Sequence, residues 1–268
     1  MRVSLIQFSA VTDTAENLEV VTGMVTKAAA TPASQRSDGH LIVLPEGAMH
    51  DFGAPDLPLG PAAQSLDGEF VTALARLAGK VGATIVAGMF EASNDPDRPF
   101  NTVVVIGRQG ELVARYRKTH LYDSFGYRES ARMLAGDGVP VVVPFEGLTL
   151  GLLTCYDLRF PELARALVDA GADTLVVPAA WVRGPSKEDH WATLLRARAI
   201  ENTSFVLGAG QSGPSYIGSS MVVDPMGVVV SGLGAGAGVA TADLDPRVIG
   251  EVRRRNPSLA NRRMPPAS

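Results

Sequence analysis

Apolar residues fall along this chain in short dense runs, separated by stretches in which they recur every three or four positions. Val3-Ser4-Leu5-Ile6-Gln7-Phe8 reads as a strand, and His40-Leu41-Ile42-Val43-Leu44 as a buried one. Between them Leu18, Val21, Val25 and Ala28 keep helical spacing behind Asp13 and Thr14, which predicts a capped helix to about residue 30. A helix over 68–80, a strand over 84–90 and a hairpin of 101–106 with 112–117 follow, the hairpin turning at Gly107-Arg108-Gln109-Gly110. A second hairpin, 141–145 with 148–154, opens a similar series. It continues through a helix at 163–170, a strand at 173–178 and a helix at 188–202 with Trp191, Leu194, Leu195 and Ile200 on its apolar face. Strands at 205–209, 219–223, 228–230 and 239–243 and a helix after Asp245 close the chain. No linker-like segment divides the two runs. The expectation is an α/β fold in one domain over 1–256, with two similar halves each burying a sheet under helices, and a tail at 257–268.

The stretch from Lys118 to Gly138 has no such periodicity. Loops of that length inside a compact domain are uncommon and tend to be functional.

Composition narrows the picture by exclusion. Hydrophobic residues make up 46% and charged residues 19% of 268, ordinary for a globular chain with a substantial core. A net charge of −4 gives no nucleic-acid surface, and Arg253-Arg254-Arg255 reads as a solvated helix end, where cations are favoured. No stretch approaches the ~20 apolar residues that span a bilayer. The first ten residues lack the pattern of a signal peptide. The single cysteine excludes an intrachain disulfide and fits a reducing compartment, so a cytoplasmic protein without membrane or nucleic-acid partners is expected.

Two motifs mislead. Gly208-Ala209-Gly210-Gln211-Ser212-Gly213 has the glycine spacing of a dinucleotide loop, but Pro214 and a further strand follow it, not the helix that would receive a pyrophosphate. The four histidines, His40, His50, His120 and His190, share no paired spacing on a helix, so neither a metal site nor a neighbouring histidine partner for the cysteine is expected.

The chemistry gathers at strand ends. Cys155 follows the apolar run 148–153 and precedes Pro161, a residue favoured at the first position of a helix. A thiol at such a turn lies near backbone N–H groups that favour negative charge. Glu46 follows the strand ending at Leu44-Pro45, and Lys118 follows the strand ending at Arg117. Thiol attack on an amide needs a base, an oxyanion donor and an acid for the leaving amine, and these residue types can supply all three.

Leu44-Pro45-Glu46, Tyr116-Arg117-Lys118-Thr119-His120-Leu121 and Cys155-Tyr156-Asp157-Leu158-Arg159-Phe160-Pro161-Glu162 resemble the three signature blocks of the nitrilase superfamily of carbon–nitrogen hydrolases. The resemblance reaches to about Asn256. It implies a four-layer αββα sandwich, a Glu46-Lys118-Cys155 triad without cofactor, and a second glutamate, Glu129, in the long loop. It also implies an oxyanion donor in the Tyr156 N–H, a small-molecule amide as substrate and a homodimer or higher homo-oligomer. An ammonium beside the sulfur is expected to lower its pKa below the thiol's usual ~8.5.

The block after the cysteine is similar to the amidase branches rather than to nitrilases proper. Pro178-Ala179-Ala180-Trp181-Val182-Arg183, His190-Trp191 and Gly208-Ala209-Gly210-Gln211 look most like deaminated glutathione amidases, with ω-amidases on 2-oxoglutaramate or succinamate next, and N-carbamoyl amino acid amidohydrolases and a catalytically silent scaffold as further alternatives. Such anionic substrates call for a cation, and Arg159 is the candidate, set against an ion pair with Asp157 or Glu162. Trp181, Arg183 and Gln211 are candidate pocket lining.

Overall fold

The computed structural model describes residues 1–30 and 39–264. Its first half runs β1 (Arg2–Gln7), α1 (Thr14–Ala29), β2 (His40–Val43), α2 (Glu69–Val81), β3 (Thr84–Glu91), β4 (Phe100–Ile106) and β5 (Leu112–Arg117). A two-stranded ladder, β6 (Asp123–Ser124) with β7 (Tyr127–Arg128), then occupies the long loop. The second half runs β8 (Val142–Phe145), β9 (Leu148–Leu152), α3 (Pro161–Asp169), β10 (Thr174–Ala179), α4 (Lys187–Asn202), β11 (Phe205–Gly210), β12 (Met221–Val223) and β13 (Val229–Gly232). The strand β14 (Gly238–Asp243) and helix α5 (Arg247–Arg255) follow.

Two six-stranded sheets result, ordered β14-β1-β2-β3-β4-β5 and β13-β12-β11-β10-β9-β8. Each has the same pairing pattern: β1, β2 and β3 are parallel, as are β9, β10 and β11, and antiparallel strands flank both trios. The first sheet takes its outer strand from the far end of the chain, β14 pairing with β1 from Arg2↔Asp243 to Gln7↔Gly238.

Strand alternation assigns each apolar residue a layer. Ile6, Ile42, Leu44, Ile85 and Val104 pack with Val21, Val25, Phe70 and Leu74 of α1 and α2. Their neighbours Val3, Leu5, Leu41, Val43, Val86 and Val103 pack with residues of the second sheet. That sheet's outer face meets α3 and α4, giving helix, sheet, sheet, helix. The near-continuous apolar strands are what burial on both faces demands.

Local signals set the helix ends. Asp13 Oδ1 accepts from the backbone N–H of Ala15 and Glu16, capping α1. Gly82, at φ +67, closes α2 in the left-handed region that favours glycine. Pro161 takes the first position of α3. The helix α4 departs from expectation: Ile200 is 47% exposed, while Trp191, Leu195 and Arg198 are buried. Arg198 earns its place by donating to the Leu158 carbonyl at 2.8 Å, and so braces the turn after Cys155. Gly208 lies in β11 beneath the same helix, and a Cβ there would stand 2.6 Å from Leu195 Cδ1 and 2.8 Å from Trp191 Cζ2. The glycine pattern that mimicked a dinucleotide loop is in part a helix–sheet contact. In the expected tail, Arg262 pairs with Asp169 at 2.6 Å, and residues 265–268 lie outside the described residues. No helix among the described residues is long and apolar enough to cross a membrane.

Candidate active site

Glu46, Lys118, Glu129 and Cys155 come together at one end of the two sheets, each at most 8% exposed. Glu46 follows β2, held over β3 by the Leu44 N–H donating to the Val86 carbonyl at 2.8 Å. The chain passes so close to Gly88 that a Cβ there would lie 2.7 Å from Glu46 Cα. Lys118 follows β5, its N–H donating to the Asn101 carbonyl at 2.8 Å. Glu129 sits in a single 3-10 turn in the long loop.

The ammonium of Lys118 donates to Glu46 Oε1 at 2.9 Å and to Glu129 at 3.1 and 2.9 Å. Asn101 Nδ2 ties the two carboxylates together, at 2.7 Å from Glu46 Oε1 and 3.0 Å from Glu129 Oε1. The other Glu46 oxygen accepts from the Ala180 N–H at 2.7 Å, across from the second sheet. Glu129 Oε2 accepts from the Tyr122 N–H at 2.6 Å. Every charge here is buried and paired, as low-dielectric surroundings require.

Cys155 opens a 3-10 turn over Cys155–Arg159 and has φ +46. A side-chain-bearing residue held in that region costs about 1–3 kcal/mol, and such strain clusters at functional sites. Asp157 fixes the turn. Its carboxylate accepts from the Thr154 N–H at 3.0 Å, Tyr116 OH at 2.7 Å and the His120 N–H at 3.0 Å, and lies 2.7 Å from His120 Nδ1. One buried side chain thereby joins the cysteine turn to the segment carrying Lys118. The Tyr156 N–H makes no hydrogen bond to a described residue.

Burial, then the Glu46 carboxylate, push the Cys155 thiol well above its ordinary pKa, with Lys118 pulling the other way. This reverses the expectation of a lowered thiol pKa. The ammonium faces two carboxylates, so a thiolate would add a second uncompensated negative charge in a buried site. Burial likewise opposes the Lys118 charge, but Glu129 and Glu46 outweigh it and hold the ammonium protonated.

A cavity of about 540 Å³ opens above the sulfur. Tyr156, Arg159, Trp181 and Arg183 line it. Gln211 does not. It is fully buried beneath the site, where Nε2 donates to the Glu46 carbonyl at 2.9 Å and Oε1 accepts from the Ala10 N–H at 3.0 Å. Gln211 holds the backbone of Glu46 and is corrected from lining to support. Arg159 pairs with neither Asp157 nor Glu162: its guanidinium contacts His190 Nδ1 at 3.2 Å and lies 5.1 Å from the centre of the Trp181 ring. Arg183 stands at the rim with Glu188 at 3.9 Å. Two residues escaped sequence reading. Asn101 is a polar residue early in the apolar run of β4, and Lys187 is a cation at a helix start, where acidic residues are usual. Among the described residues no cluster could hold a metal ion.

A buried thiol, a carboxylate beside it, an ammonium and a free backbone N–H at the mouth of a cavity define a site for nucleophilic acyl transfer. Residues 2–254 match the carbon-nitrogen hydrolase family, and the chain belongs to that family of amide-hydrolysing enzymes. It is 40% identical to a deaminated glutathione amidase of Escherichia coli O157:H7, over 99% of this chain and 98% of that one. A CN-hydrolase superfamily protein from Xanthomonas campestris with an arsenic adduct in its active site superposes with a TM-score of 0.87 at 28% identity, covering 100% of this chain and 99% of that one. An amidase from Nesterenkonia carrying acrylamide on its active-site cysteine superposes at 0.79, with 27% identity, 95% of this chain and 99% of that one covered.

Proposed function

We propose that the enzyme cleaves the amide of a small anionic 2-oxo acid, with deaminated glutathione as substrate, through a thioester on Cys155. The observation that carries this is the convergence of Glu46, Lys118, Glu129 and Cys155 under a cavity bearing Arg159. The E. coli relative's name supplies the particular substrate.

Glu46 takes the thiol proton as sulfur attacks the amide carbon. The transfer moves charge within the site without adding any, which suits a buried setting where a free thiolate is disfavoured. Glu46 then carries the proton, its grip on Lys118 weakens, and the ammonium turns with the Tyr156 N–H to the tetrahedral oxyanion. Losing one such donor costs ~2.7–4 kcal/mol of transition-state stabilisation. The proton on Glu46 goes to the departing amine as the C–N bond breaks. The same carboxylate next draws a proton from water, whose oxygen adds to the thioester carbon. The C–S bond then breaks, the Glu46 proton returns to the Cys155 sulfur, and the 2-oxo acid leaves. Glu129 positions Lys118 throughout.

The test is a panel of deaminated glutathione, 2-oxoglutaramate, succinamate and N-carbamoyl amino acids, read by release of 2-oxoglutarate or ammonia as each substrate allows. Deaminated glutathione should give the highest kcat/KM; a preference for 2-oxoglutaramate would move the assignment to ω-amidase. We also infer a cytoplasmic homodimer or higher homo-oligomer acting as one unit over 1–256, supported by the single unpaired cysteine and the family likeness. Light scattering behind size exclusion tests the assembly, and a monomer at micromolar concentration would contradict it.

A further inference from the structure

Lys187 occupies a place that opposes it twice. It is the first residue of α4, at the positive end of the helix dipole, and it is only 5% exposed. Lysines are rarely buried without a charge partner. Among the described residues no carboxylate lies within ion-pair distance of Nζ, which donates to Tyr122 OH at 3.0 Å. Aromatic faces surround it instead, with ring centres at 4.1 Å for Phe125, 5.1 Å for Tyr122 and 5.8 Å for Trp181. The backbone is built to keep it there. Ser186 before it has φ +58, and Trp181 Nε1 donates to the Lys187 carbonyl at 3.0 Å.

Arg159 is the second unpaired cation in this wall. Its Nε is buried without a hydrogen-bond partner, and its guanidinium shares the Trp181 ring with Lys187. Burial, then repulsion from Arg159, push the Lys187 ammonium below its ordinary value, while Cys155 acts in the opposite sense. Both cations line the cavity that contains the sulfur. Arg183, by contrast, already has Glu188. An anion lodged against Arg159 and Lys187 would relieve their mutual repulsion. We propose that Lys187 and Arg159 form one carboxylate-recognising site for the acyl half of the substrate, Lys187 being the residue that selects an anionic amide over its neutral counterpart. The division of labour follows from their chemistry, a planar fork and a compact point charge. This rests on the amidase reading, because the acyl half is the part retained on Cys155.

The experiment compares wild type, Lys187→Met and Lys187→Arg on succinamate and on butyramide, which lacks the carboxylate. The kcat/KM ratio of succinamate to butyramide should fall at least about tenfold in Lys187→Met, the scale of one hydrogen bond to a charged group, and recover in Lys187→Arg. Equal losses on both amides would mean a structural lysine and overturn the proposal. A second arm titrates 2-oxoglutarate calorimetrically into Cys155→Ala with and without Lys187→Met. A Kd raised at least about tenfold by the second substitution is expected; an unchanged Kd, or no binding in either, overturns it. If the wild type turned over no amide, the amidase reading would fail, and the calorimetric arm would still decide the carboxylate site.

Discussion

Glu46 and Lys118 meet at 2.9 Å although 72 residues separate them, each projecting from just beyond the end of its own strand. Both side chains are only 2% exposed, and the balance of the pair depends on Glu129 as well. Replacing Lys118 by Met would leave two carboxylates facing each other with only Asn101 between them. Breaking a buried pair in this way costs about 3–5 kcal/mol. Lys118→Met is expected to unfold at markedly lower denaturant concentration than wild type and to lose turnover. Glu129→Gln keeps the shape and leaves Glu46 on the ammonium, so it should lose far more activity than stability. Denaturant melts beside kcat measurements separate the two.

Glu46→Gln makes a prediction with two opposite signs. The carboxylate raises the Cys155 thiol, and Lys118, which lowers it, stays. Removing the carboxylate charge should bring the thiol pKa down, so alkylation by iodoacetamide at neutral pH speeds up. Turnover should nevertheless fall ~10²–10⁴-fold with the base gone. The pH profile of alkylation checks this: a Glu46→Gln inflection at or above that of wild type would contradict the electrostatic account.

Asp157 carries four contacts that join the cysteine turn to Tyr116 and His120. Asp157→Asn turns a donor toward groups that themselves donate. Leaving such buried groups unsatisfied costs about 1–3 kcal/mol each, and for a chain of this size about 2–4 °C of Tm per kcal/mol. A Tm loss of several degrees by calorimetry is expected, together with a fall in kcat.

Glu91 gives a pH-dependent test of the first sheet. Burial alone would raise its carboxyl, but Arg117, Thr102 and Arg115 outweigh it and hold it below the ordinary 4.5. The carboxyl is depressed in the folded state, so its contribution to stability is present above pH 4.5 and is lost as pH falls through the lower folded value. The stability gap between wild type and Glu91→Gln should therefore be widest near neutrality and shrink in acid. A gap constant from pH 7 to 3 would contradict the pairing.

Glu46, Lys118 and Cys155 were legible in sequence because each directly follows an apolar run, and strand ends are where a sheet presents side chains together. Gln211 has the same placement after β11, yet it supports Glu46 from below: position beyond a strand does not say which way the side chain turns. Asn101 and Lys187 were not legible because their partners are remote in the chain and come near only when the layers pack. Ile200 fitted the helical spacing of α4, but the buried face of that helix also admits Arg198 and Asn202, whose polar groups find backbone carbonyls. The thiol's direction of shift depended first on its burial and then on the Glu46 carboxylate outweighing one ammonium, a balance that only the assembled site provides.

The central claim is a covalent acyl-enzyme on one sulfur. Acid-quenched wild-type enzyme, mixed with excess deaminated glutathione and mapped by peptide mass spectrometry, should carry a 2-oxoglutaryl group on the Cys155 peptide, and Cys155→Ala should carry none and release no 2-oxoglutarate. Release of 2-oxoglutarate by Cys155→Ala at the wild-type rate would contradict it.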